Sequence, residues 1–161
     1  MKICHTHAMK MIKELEEQKR LLIEKEDENC IVSYKEGEER LPAGYDYDKM
    51  REEIRSVDGR VRSLRAVLAK ANCTVTVEPF GITIGEALVM LAQLQAERGQ
   101  IESLAGRKQV SRRITSNGVV EYSECVYDVS RAAGDVKALR EKIAELQMAI
   151  DRANLTNYVE I

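Results

Sequence analysis

The chain has no tryptophan, a single phenylalanine (Phe80) and only two prolines in 161 residues. Broad β cores draw much of their buried area from aromatic side chains, so this shortage argues against a sandwich or barrel. A long apolar run is also missing. The longest, Ala87 to Ala92, is far below the ~20 residues that a membrane-spanning helix needs. The first ten residues hold two histidines and two lysines without an apolar stretch, so no secretory leader is expected. The four cysteines, Cys4, Cys30, Cys73 and Cys125, are widely spaced and form no CxxC pair. Reduced thiols in a cytoplasmic protein are the consistent reading. Excess charge of either sign is absent as well. There are 25 Lys and Arg against 27 Asp and Glu, a net charge of −2. Each half is itself near balance, with 15 basic and 16 acidic residues before position 81 and 10 and 11 after it. A chain without a basic excess is poorly suited to nucleic acid or to an anionic membrane surface. No Walker loop, dinucleotide fingerprint or Ser/His/Asp set occurs, and no cofactor is expected.

What the chain does have is charge, 32% of its residues, laid over narrow apolar stripes. From Tyr47, the residues Met50, Ile54, Val57, Val61, Leu64, Leu68 and Ala71 follow at alternating steps of three and four. The same steps carry Val129 through Ala132, Val136, Leu139, Ile143, Leu146 and Ile150 to Ala153. Both are heptad helices. Their correspondence is a repeat: at an offset of 82, eight residues of 45–78 meet identical residues in 127–160, against about two expected by chance. Upstream, Ala8, Ile12, Leu15 and Leu22 fall on Ala87, Leu91, Leu94 and Ile101 at an offset of 79. Lys19 and Arg98 occupy equivalent seam positions, where a long stem can lie along the core while its charge reaches a neighbouring carboxylate.

Between the helices lies β character. Val110–Thr115 and Val119–Val126 flank Ser116-Asn117-Gly118, and Asn-Gly favours the φ > 0 pair of a two-residue hairpin turn. In the first half Cys30–Tyr34 precedes Lys35-Glu36-Gly37, and Leu41-Pro42-Ala43-Gly44 then breaks any strand, so a shorter or irregular hairpin is expected. Val75–Val77 reads as a short extended piece. Thr83 with Glu86 reads as a capping box opening the third helix. Asn72 and Thr74, repeated as Asn154 and Thr156, read as helix-end residues: Asn for a left-handed stop, Thr for a freed backbone group.

The predicted architecture is therefore mainly α, two helix–hairpin–helix repeats over 1–78 and 79–161 sharing one antiparallel four-helix, coiled-coil-like bundle. Unpaired hairpin edges invite pairing with another chain, so a homo-oligomer, dimer or larger, is expected, with a possible protein partner at the hairpin ends.

Three clusters carry candidate chemistry. Glu14, Glu17, Glu24 and Asp27 have the spacing of magnesium carboxylates in all-α nucleotide hydrolases, yet they follow one another on one helix among lysines and arginines. That is the pattern of a solvated, ion-paired face. Arg107, Lys108, Arg112 and Arg113 form a small basic patch for nucleic acid or an acidic partner, without interleaved aromatics. Cys4, His5 and His7 match no zinc spacing, and His5 falls on the seam residue Ile84. No catalytic residue and no metal site are assigned. The leading expectation is a noncatalytic, oligomeric interaction protein, with the hydrolase and the nucleic-acid binder as alternatives.

The segments Lys35-Glu36-Gly37-Glu38-Glu39, Lys70-Ala71-Asn72-Cys73-Thr74, Thr83-Ile84-Gly85-Glu86-Ala87-Leu88 and Ala153-Asn154-Leu155-Thr156 carry a resemblance. On them the chain resembles a family of small uncharacterised bacterial helical proteins, some labelled septicolysin. The resemblance implies a bacterial origin, a helical fold and no established activity.

Overall fold

A heptad stripe gives a helix one face that avoids water, and chain segments long enough to carry several heptads fold accordingly. The computed structural model describes residues 2–39 and 44–160. The chain runs β1 (Lys2–Cys4), α1 (His5–Asn29), α2 (Tyr47–Thr74), β2 (Thr76–Val77), β3 (Ile82–Thr83), α3 (Ile84–Ala105), β4 (Val110–Ile114), β5 (Val120–Glu124), α4 (Val129–Thr156) and β6 (Tyr158–Glu160). It is mainly helical, and its described strands form three small antiparallel pairs, β1 with β6, β2 with β3 and β4 with β5.

The buried faces follow the predicted stripes. α2 buries Met50, Ile54, Val57, Leu64, Leu68 and Ala71, and α4 buries Ala132, Val136, Leu146, Ile150 and Ala153, joined by Ala149. Tyr47, the first position of its stripe, is exposed instead. α1 buries Ala8, Ile12 and Leu15, and α3 buries Ala87, Leu91 and Leu94. Further along, the stripes thin to half-buried Leu22 and Ile101. The capping box is present: Thr83 Oγ1 accepts the Glu86 amide at 3.2 Å, and the Glu86 carboxylate accepts the Thr83 amide at 2.8 Å. These bonds hold the Glu86 carboxyl below the usual range, the backbone amide of Thr83 contributing most.

The chain divides into two compact units, one of Met1–Thr74 with Asn154–Ile161, the other of Val75–Ala153. In the first, α1 and α2 run antiparallel, fixed by Lys19 on Asp58 at 2.8 Å and by the Arg65–Glu16 and Arg51–Glu26 pairs. β1 and β6 close it, with Ile3 opposite Val159 and both buried. In the second, Ile84, Leu91 and Leu94 of α3 share a core with Leu146 and Ile150 of α4 and with Val77 of β2. Here β2 pairs with β3, Val77 opposite Ile82. The units do not follow chain order: β6, at the end of the chain, pairs with β1 in the first, while β2, which follows α2, pairs with β3 in the second.

Two local expectations need correction. The described residues between α1 and α2, 30–39 and 44–46, contain no strand, so among them the first connector forms no hairpin. It turns instead at Gly37, with φ 88° and the Glu38 amide on the Lys35 carbonyl at 3.0 Å. The break expected at Leu41–Ala43 lies outside the described residues. Asn72 and Asn154 do not stop their helices in a left-handed conformation. α2 and α4 run on to Thr74 and Thr156, and among the described residues positive φ occurs only at glycines. The side-chain oxygens of both asparagines are buried without a hydrogen-bond partner among the described residues. Thr74 does act at its helix end, donating to the Lys70 carbonyl at 3.0 Å.

Candidate functional site

The second connector holds the most distinctive surface. α3 is capped by Gly106, and the chain leaves through Arg107 and Lys108 to Gln109, whose side chain organises the base of the β4–β5 hairpin. Its amide nitrogen donates to the carbonyls of Cys125 at 2.8 Å and Tyr127 at 2.9 Å, while its oxygen accepts the Val129 amide at 3.0 Å. Tyr127 donates its hydroxyl to the Leu104 carbonyl at 2.9 Å, pinning the hairpin exit to the end of α3. Burial first, and the neighbouring Cys125 second, raise the Tyr127 pKa above the ordinary phenol value. Asp128 then caps α4 by accepting the Ser130 and Arg131 amides at 2.8 and 3.2 Å.

At the tip the expected two-residue turn is replaced by a three-residue one. The Gly118 amide bonds the Thr115 carbonyl at 2.9 Å, the Thr115 amide bonds the Val119 carbonyl at 2.9 Å, and only Gly118 has a positive φ, 75°. This is the pattern of a type I turn closed by a left-handed glycine. Asn117 keeps a negative φ because the third loop residue supplies the reversal.

Strand alternation sorts the side chains. Register pairs Val110 with Glu124, Arg112 with Tyr122 and Ile114 with Val120 on one face, and Ser111 with Ser123 and Arg113 with Glu121 on the other. The second face is polar and satisfied, Arg113 bridging Glu121 at 3.1 Å. The first face presents Val110, Ile114, Val120 and Tyr122 to solvent, at 51, 61, 39 and 69% exposure. Every residue of β4 and β5 is exposed.

This geometry splits the basic patch. Arg112 and Arg113 are adjacent on a strand and point to opposite faces, and Arg113 is already ion-paired. Arg107 and Lys108 line a shallow cleft of about 450 Å³ with Ser111, Ser123 and Glu124, and neither Arg112 nor Arg113 is part of its lining. The acidic candidates are not gathered either. Glu17 and Glu24 grip Arg20 between them on α1, which lowers the Glu17 pKa through its hydrogen bond to that guanidinium. Glu14 and Asp27 stay exposed on the same helix. Among the described residues no group of three or more His, Cys, Asp or Glu is placed to hold a metal ion. All four cysteines are free. His5 is buried, 4% exposed, with Nδ1 lacking a partner among the described residues, and its burial lowers its pKa.

The seam cations both find carboxylates. Lys19 crosses to Asp58, and Arg98 lies 3.8 Å from Glu102, which also takes Arg140 from α4. The Arg140 hydrogen bond is the main reason that the Glu102 carboxyl is held low. Glu26 was not singled out by sequence reasoning. It accepts the Tyr45 hydroxyl at 2.5 Å and pairs with Arg51, whose guanidinium sits 5.7 Å from the Tyr47 ring centroid. The signal was available: Tyr45 recurs as Tyr127, and both reach back toward the end of the preceding helix.

Fold and site together define a mainly helical protein with small antiparallel strand pairs, in which no helix of the described residues is long and apolar enough to cross a membrane. The chain is similar in fold to the crystal structure of a functionally unknown conserved protein from Corynebacterium diphtheriae. The TM-score is 0.69 at 15% identity, over 99% of this chain and 100% of that one. No family model and no curated protein matches the sequence.

Proposed function

We propose that the chain is a noncatalytic, homo-oligomeric interaction protein of the cytoplasm. The observation that carries this reading is the exposed apolar face of the β4–β5 hairpin, held on a base pinned by Gln109 and Tyr127. Solvent-facing apolar clusters on a stiff projection are characteristic of association surfaces. The free cysteines are consistent with a reducing compartment.

In the same reading the chain is an internal duplication of one helical unit whose two helices pair through coiled-coil-like seams. Support comes from register. The offsets of 79 and 82 convert the Ile3–Val159 pair into the Ile82–Val77 pair. They also convert the His5 amide to Asn157 carbonyl bond, 3.3 Å, into the Ile84 to Val75 bond, 2.9 Å. Kinship with the bacterial helical proteins, some labelled septicolysin, remains part of this proposal. Neither alternative activity gains from the geometry, since the carboxylates are ion-paired or dispersed and Arg112 and Arg113 face opposite ways.

Light scattering over a range of concentrations tests the reading. The expected mass is a multiple of the 18.2 kDa chain, and it should fall when residues 110–124 are replaced by a short flexible loop. A wild type that stays monomeric at every concentration would sink it.

A further inference from the structure

A two-stranded hairpin with one apolar face leaves that face in water unless something covers it, and charge decides what fits. On this face β4 carries Arg112 and β5 carries Glu124, each exposed. Arg113 and Glu121 neutralise each other on the opposite face. Among the described residues Arg112 and Glu124 have no ion-pair partner, so the apolar face is electrically polarised across its two strands, positive on β4 and negative on β5. A partner surface that matches it must be apolar with the opposite polarity across its width. Turning the same face over about an axis parallel to the strands produces that surface.

We infer that the apolar faces of two hairpins pack against each other about a two-fold axis parallel to the strands, β4 of one copy over β5 of the other. This deepens the homo-oligomer reading proposed above and rests on it. In this arrangement Ile114 meets Val120 of the second copy at the tips. Arg112 lies over the second copy's Tyr122 ring, where a guanidinium is attracted to the aromatic face, and one row from its Glu124. The two-fold repeats each contact, so these two contacts, made by Arg112, Tyr122 and Glu124, become four. The competing two-fold, with its axis across the strands, sets Arg112 against Arg112 and is disfavoured by like charge. The face has only four apolar side chains, fewer than the 20–30 residues a side of a stable interface of about 800 Å² per partner. A reversible, concentration-dependent dimer follows.

Charge exchange tests the register. Arg112→Glu and Glu124→Arg are made singly and together, and each is checked for wild-type helicity by circular dichroism. Their dimerisation is followed by sedimentation velocity at low and high salt. Each single variant should dimerise at least tenfold more weakly than wild type. An equimolar mixture of the two single variants should recover dimer, as should the double variant. Loss in the single variants without recovery in the mixture or the double variant overturns the proposed register. Unchanged dimerisation in every variant overturns the proposed interface while leaving homo-oligomerisation standing. A monomeric wild type removes both.

Discussion

At the sequence offset of 79, His5 falls on Ile84, which is 1% exposed, and His5 is itself buried. A neutral imidazole can be buried there, but its Nδ1 lacks a partner among the described residues, and burial lowers its pKa below the ordinary 6.5. Between the lowered native value and 6.5 the unfolded chain binds the proton more readily than the native one. Stability should therefore decline as pH falls through 6.5 and level off once the native histidine is itself protonated. His5→Ile removes this slope and adds about 1 kcal/mol at neutral pH, because it exchanges an unsatisfied polar group for an apolar one of similar volume. Urea unfolding of both proteins at pH 5 and pH 8 checks it, and equal pH dependence would contradict the assignment. Thr83 is the complementary case, a polar residue whose bonds are made. Thr83→Ala should lower stability by about 1 kcal/mol through loss of the cap, read from the same unfolding curves.

The helices and the hairpin answer to different forces. Each helix is held by its seam, so Leu146→Ala, which truncates a fully buried side chain of α4, should cost about 2–5 kcal/mol. The seam cations matter less. Lys19 and Asp58 are each more than a third exposed, so Asp58→Asn should change stability by less than about 1 kcal/mol. The β4–β5 hairpin buries none of its strand residues. Gly118→Val, which forces a β-branched residue to φ 75°, should leave the thermal midpoint nearly unchanged. It should accelerate amide exchange at Arg113 and Glu121, and a large drop in the midpoint would mean that the hairpin supports the core.

At the level of the molecule, the pairing of β1 with β6 ties residues 2–4 to residues 158–160. Val159 is buried in this pairing, whereas Tyr158 beside it is 68% exposed. Val159→Asp should therefore destabilise the protein strongly, by more than about 2 kcal/mol, while Tyr158→Ser should be close to neutral. Thermal melts of the two variants distinguish a closing strand pair from a loose tail. An equal effect of both would argue that the strand order is set elsewhere.

Periodicity made the long helices, their buried faces and the Thr83 cap legible from the residues alone, because each depends on neighbours within a turn or two of one segment. The hairpin was legible in its strands and wrong in its turn. Asn-Gly fixes that a reversal occurs, while the third loop residue decides which reversal. That the described part of the first connector holds no strand was only half visible, since Cys30–Tyr34 has strand-like composition but no partner strand among the described residues. The splitting of Arg112 from Arg113 follows from alternation and became decisive only once register placed Glu121 opposite one and Tyr122 opposite the other. The sequence by itself thus determined which segments are helical and which faces seek cover, both properties of local period and polarity. The tertiary structure alone decided the pairing of β1 with β6, the Gln109 clamp and the one-sided apolar hairpin, because each depends on backbone groups brought together from separate parts of the chain.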